Sequence, residues 1–140
     1  MHLIIEFDGG SRGNPGPAAF GVVVRSADDG TPVCTAGRFI GSTTNNVAEW
    51  RGLIFGLECA KELGASQVTV RGDSQLVIRQ MTGQYRVKQP HLKPLHEQAS
   101  RLVKSFSKVQ FLHNTRDHNE MADRLANLAM NCKGDVDDIP

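Results

Sequence analysis

The hydrophobic repeat of this 140-residue chain first changes period near Asn46, and that change constrains the fold more than any other feature. Before it, LIIEF (3–7), FGVVVR (20–25) and VCTAGRFIG (33–41) are runs of residues that suit a pleated surface. DGGSRGNPGP joins the first two and, being dense in Gly and Pro, reads as loop or turn; Asp28-Asp29-Gly30 turns the chain into the third. The three runs predict an antiparallel meander. After Asn46, Val47, Trp50, Ile54, Leu57 and Lys61 fall on one side of a helix that stops near Leu63-Gly64. QVTV (67–70) predicts a short buried strand, and Ser74 to Met81 a short helix closed by Thr82-Gly83. Leu92, Leu95, Ala99, Leu102, Val103 and Phe106 recur at helical spacing, VQFLH (109–113) is the last strand, and Ala122, Leu125, Ala126 and Ala129 mark the last helix. The order βββαβααβα predicts an α/β fold, a mixed five-stranded sheet with helices on both faces.

A chain of this length suits one domain with a single core. We assign residues 1–132 to it and read 133–140, which lack periodicity, as a flexible C-terminal tail. No apolar stretch approaches the roughly 20 residues of a membrane span, and the N-terminus opens into a strand-like run without a basic leader. Cys34, Cys59 and Cys132 are odd in number and widely spaced, which suits a reducing cytoplasm and speaks against a disulfide framework or a zinc site. Net charge is +1, but residues 71–108 carry eight basic side chains against only Asp73 and Glu97. A local basic face is the footprint of a polyanionic partner, although a solvated helix face carries the same charge.

Four acids stand out. Asp8 ends the run LIIEFD and Asp73 ends VTVRGD; Glu49 lies in the first turns of the helix opened by TTNN, and Asp123 is embedded in NEMADRLANLA. Each has an ordinary explanation: Asp73-Ser74 as a helix cap, Glu49 in a capping box with Asn46, Asp123 as a helix-start charge. Ligand sites of open α/β sheets lie beyond strand ends, however, where helices also begin. Two strand ends and two helix starts meeting there would offer hard oxygen donors to Mg²⁺.

FDGGSRGNPGPAAFG, STTNNVAEWRGLIFGLE, VRGDSQLVIRQ and HNEMADRLANLA, in this order and spacing, resemble the four signature blocks of type 1 ribonuclease H across residues 3–130. The resemblance implies a ribonuclease H-like fold and hydrolysis of the RNA strand of RNA–DNA hybrids, leaving 5′-phosphate and 3′-hydroxyl ends. It implies two Mg²⁺ ions, with Mn²⁺ as a possible substitute. Asp8 would bridge both ions, Glu49 and Asp73 would bind one, and Asp123 would bind the ion that activates water.

Substrate contacts follow from the same match. Asn14, Asn45, Asn46 and Gln75 correspond to positions lining the minor groove, where amides can both donate to and accept from a 2′-hydroxyl. Backbone at Gly9, Gly10 and Ser11, with Ser74 beside Asp73, would approach the RNA strand; Thr44, with Arg12 or Asn14, would hold a phosphate of the DNA strand. Asn45-Asn46 as a helix cap and Asn14 as a turn residue are compatible with those roles. Two departures from the family pattern stand out. The extra basic helix of many relatives is absent, TGQYRVKQPH standing in its place, so Tyr85, Arg86 and Lys88 are candidate replacements; Tyr85 reads equally as a base- or sugar-stacking residue or as loop packed on the core. The loop before the last helix is short, NTRDHNE, leaving Arg116 and His118 to assist proton movement or product release. The expected protein is a monomer acting on hybrid away from membranes. The rivals are a hybrid or double-stranded RNA binding module with weak catalysis, and a ribonuclease H domain cut from a longer polypeptide.

Overall fold

The computed structural model describes residues 1–114 and 119–138. Strands β1 (His2–Ser11), β2 (Gly16–Ser26) and β3 (Pro32–Thr43) form the meander, followed by α1 (Asn45–Glu62), β4 (Gln67–Gly72), α2 (Gln75–Met81), α3 (Lys93–Val103), β5 (Lys108–His113) and α4 (Glu120–Cys132). The sheet runs β3-β2-β1-β4-β5. The first strand is therefore central, antiparallel to β2 and parallel to β4, which is parallel in turn to β5.

β2 shows how both faces are covered. Phe20, Val22 and Val24 join Ile5, Phe7, Trp50, Leu53 and Leu57 in the main core under α1. The alternate residues Ala19 and Val23 meet Ala122, Leu125 and Ala129 of α4. Successive strand side chains point to opposite faces, so α1 and α4 lie on opposite sides of the sheet. A strand buried on both sides reads as an unbroken apolar run, as FGVVV does. Gly21 brings α4 close: a Cβ there would fall 1.9 Å from the Ala122 carbonyl oxygen.

Several elements differ from expectation. Most of DGGSRGNPGP is strand, because Gly9, Gly10 and Ser11 pair with Phe20, Ala19 and Ala18, which leaves only residues 12–15 to turn. Lys61 is exposed while Ala48, Leu53, Gly56 and Ala60 are buried, because α1 packs against β1 and β2 on one side and α3 on another. The longer helix stops at Val103, and Phe106 enters the core from the turn that follows. In the segment expected as a flexible tail, Val136 exchanges backbone hydrogen bonds with Gly37 of β3 (2.5 and 2.8 Å), and Arg38 reaches Asp137 at 2.9 Å. Cys34 and Cys59, far apart in sequence, bring their free thiols to 3.6 Å. Among the described residues no helix is long and apolar enough to cross a membrane.

Candidate metal centre

The site begins with strand register. β4 pairs with β1 up to Gly72 opposite Phe7, and Asp8 and Asp73 come next on the two chains. β1 does not end there: it continues beside β2 through Ser11, so Asp8 lies within a strand and only its β4 flank is open. This corrects the expectation that Asp8 ends its strand. A parallel ladder continued by one residue would bond the Phe7 carbonyl and the Gly9 N–H, the two backbone groups flanking Asp8. Side chains take both instead. Glu49 Oε1 accepts from the Gly9 N–H, and Asn119 Nδ2 donates to the Phe7 oxygen at 2.7 Å.

Gly9 makes the first of these contacts possible. A Cβ there would lie 2.5 Å from the Ala48 carbonyl carbon, so only glycine lets the start of α1 rest on β1. Thr44, not Asn46, caps α1, its Oγ1 accepting from the Val47 N–H at 3.3 Å. The capping box with Glu49 is therefore not formed: Glu49 turns inward and is 7% exposed. Ser74 caps α2 through the Val77 N–H at 3.3 Å and also hydrogen-bonds Glu49, leaving Asp73 in the turn before the helix. Asp123, in the first turn of α4, shares a side-chain hydrogen bond with Asp8.

Carboxylate oxygens of Asp8, Glu49 and Asp73 lie within 4.8 Å of one another, with Asp123 joining through Asp8. Burial foremost, then the charge of Glu49, the bond to Asp123 and the charge of Asp73, push Asp8 up to about 9 from an ordinary 3.8. Burial and Asp73 push Glu49 up to about 8, although the Gly9 N–H and Ser74 oppose the rise. Without a cation such a cluster holds protons against its ordinary chemistry. A hard, oxygen-seeking divalent ion replaces those protons, so the donor set fits Mg²⁺ or Mn²⁺.

The other predicted contacts gather around the same rim in part. Asn14 Oδ1 accepts from the Asn45 N–H at 3.1 Å, tying the β1–β2 turn to the start of α1, with Asn46 half-buried beside it. Arg12 bonds Asn131 of α4. Gly10 leaves open space where a Cβ would stand, and Gln75 is exposed at the first residue of α2. Ser11 Oγ is buried, with no partner among the described residues. Tyr85 is 44% exposed rather than packed in the core; its hydroxyl accepts from Arg79 at 3.1 Å, and the Arg79 guanidinium lies 5.3 Å from its ring centre. Arg86 and Lys88 are exposed nearby. Arg116 and His118 lie outside the described residues. Two contributors escaped the sequence reading. Asn119 was visible only as part of a motif, and His113, which donates from Nε2 to the Asp73 carbonyl at 3.2 Å, only as the last residue of a strand.

A mixed five-stranded sheet whose central strand outruns its neighbour at a carboxylate cluster defines a ribonuclease H-like domain. Comparison with known proteins agrees. A family model described as reverse transcriptase-like matches residues 6–129. The bifunctional protein Rv2228c of Mycobacterium tuberculosis is 50% identical over 130 residues, 93% of this chain and 36% of that protein. Its N-terminal ribonuclease H domain, solved as a fusion with maltose-binding protein, superposes with a TM-score of 0.91 at 49% identity, covering 94% of each chain. Ribonuclease HI of Halobacterium salinarum is 46% identical over 124 residues, 89% of this chain and 62% of that one. The ribonuclease H1 crystal structure from the same archaeon gives a TM-score of 0.90 at 43% identity, covering 94% and 99%. LC11 ribonuclease H1, solved with an RNA/DNA hybrid, gives 0.88 at 40% identity, covering 94% and 98%. The chain belongs to the ribonuclease H family, and its likeness is to the type 1 enzymes.

Proposed function

We propose that the chain is an endoribonuclease that hydrolyses the RNA strand of RNA–DNA hybrids by a two-metal-ion mechanism. The observation that carries this reading is the oxygen cluster of Asp8, Glu49 and Asp73 within 4.8 Å, joined by Asp123. Asp8 would be a ligand common to both ions, Glu49 and Asp73 would hold one, and Asp123 would hold the ion on the side of the attacking water. A pair of Mg²⁺ ions held by these carboxylates would supply stabilisation of the attacking and leaving oxygens of an in-line displacement. Water attacks phosphorus, the bond to the 3′ oxygen breaks, and the products carry 5′-phosphate and 3′-hydroxyl ends.

Substrate choice falls to the rim. Asn14, Asn45, Asn46 and Gln75 read 2′-hydroxyls, with backbone at Gly9, Gly10 and Ser11 against the RNA strand. Thr44, with Arg12 or Asn14, holds a DNA-strand phosphate. Tyr85 stacks on a sugar or base, and Arg86 and Lys88 supply the charge of the absent basic helix. Arg116 or His118 assists proton movement or product release. The LC11 relative, crystallised with an RNA/DNA hybrid, supports this substrate. The protein acts as a cytoplasmic monomer, Mn²⁺ substituting for Mg²⁺.

A second reading, the same catalytic unit within a longer polypeptide, draws support from the mycobacterial relatives, of whose length the chain spans 36%. Hybrid, duplex RNA and duplex DNA titrated with and without Mg²⁺ test the reaction. Mg²⁺-dependent cutting of hybrid is the expected result; binding without cutting supports a binding module instead.

A further inference from the structure

The asparagine at position 119 is used against its usual role. Asn favours the N-cap because its side-chain oxygen accepts from the first free N–H groups of a helix. Asn119 occupies the N-cap of α4 and makes no such bond. Its Nδ2 crosses instead to the Phe7 carbonyl of β1, 112 residues away in sequence, at 2.7 Å. The residue is 2% exposed, and its Oδ1 has no hydrogen-bond partner among the described residues. The orientation of the amide is fixed by chemistry. Rotated by half a turn, it would set its oxygen against the carbonyl oxygen of Phe7, two acceptors facing each other.

The position of this bond gives it consequence. The Phe7 carbonyl adjoins Asp8, on the flank that β4 leaves open after Gly72. One turn along α4, the Asp123 N–H bonds the Asn119 carbonyl at 3.1 Å, and the Asp123 side chain meets Asp8. One face of the sheet is tied to the open flank by Glu49 from α1, the other by Asn119 from α4. Glu49 is itself a ligand candidate; Asn119 is not.

We propose that Asn119 is a positioning residue for the metal centre: its amide bond to Phe7 clamps α4 on β1 so that Asp123 stands against Asp8. The inference rests on reading the acids as metal ligands. Loss of such a supporting hydrogen bond typically costs roughly 10–100-fold in metal affinity or activity.

The test uses the full chain, Asn119→Ala, Asn119→Gln (which keeps an amide donor) and the remote core truncation Leu92→Ala. Thermal melts without nucleic acid are recorded across a MgCl₂ titration, and kcat and KM on hybrid are measured well below melting. Asn119→Ala is expected to raise the Mg²⁺ midpoint of the thermal shift and lower kcat, each by roughly tenfold or more, with KM for hybrid within about twofold. Asn119→Gln recovers part of the Mg²⁺ midpoint. Leu92→Ala lowers the melting temperature and leaves the midpoint at the parental value. An Asn119→Ala protein that melts earlier but keeps the parental midpoint and kcat overturns the positioning role. A parent with neither a Mg²⁺ shift nor hybrid cleavage overturns the metal reading and this inference with it.

Discussion

Asp8 and Asp73 stand side by side because β1 and β4 run parallel and their shared ladder ends one residue earlier, at Phe7 and Gly72. The central strand goes on and its neighbour turns away into α2. That mismatch opens the flank of Asp8, and Glu49 and Asn119 fill it from opposite faces of the sheet.

Removing the Asp8 carboxylate is expected to separate chemistry from binding. Asp8→Asn is expected to abolish Mg²⁺-dependent cleavage while hybrid affinity, measured in a metal chelator, stays near the parental value. Retained turnover would remove Asp8 from the centre of the mechanism.

The cluster makes metal-free stability depend on pH, and the sign follows from the shifts. Asp8 rises from 3.8 to about 9 and Glu49 from 4.5 to about 8, so the folded state favours their protonated forms. Their contribution to stability is full below about pH 4 and is lost as pH rises through 8 to 9. Melting temperatures in chelator are therefore expected to fall across that window, and saturating Mg²⁺ to flatten the fall. In Asp8→Asn the decline in chelator should be shallower. A metal-free melting temperature independent of pH would contradict the cluster's electrostatics.

Gly9 carries a steric requirement. In Gly9→Ala the new methyl meets the Ala48 carbonyl carbon at 2.5 Å, with both atoms belonging to stiff elements. Overpacking of this kind costs about 1–3 kcal/mol. Urea unfolding should show that loss, and kcat should fall further than stability alone explains, because α1 carries Glu49 away from Asp8.

Tyr85 should behave as a contact and not as core. At 44% exposure its removal leaves little cavity, so Tyr85→Ala should melt within a degree or two of the parent. KM for hybrid is expected to rise, since stacking contributes about 1–3 kcal/mol per base, with kcat little changed. A large drop in melting temperature with unchanged KM would place Tyr85 in the scaffold.

Much of this was legible in the chain because the governing patterns are local. The run FGVVVR marks a strand, and the change of period near Asn46 marks the passage from meander to helix. The acids were legible as a set through their motifs. What stayed hidden depends on partners distant in sequence. Gly and Pro content suggested loop for residues 8–17, yet pairing with β2 holds Asp8 through Ser11 in the sheet. Lys61 fitted the helical stripe, but α3 on a second side of α1 buries Ala60 instead. Asn119 stood only as one letter of a motif, since nothing in its neighbourhood reveals that the Phe7 carbonyl lacks a strand partner.

The most direct measurement is the fate of an RNA–DNA hybrid with its RNA strand labelled at either end, incubated with Mg²⁺, Mn²⁺ or chelator. RNA fragments bearing 5′-phosphate and 3′-hydroxyl ends, formed only with metal while the DNA strand stays whole, are the predicted result. An intact RNA strand under both metals, or metal-independent cutting with 2′,3′-cyclic phosphate ends, would contradict the account.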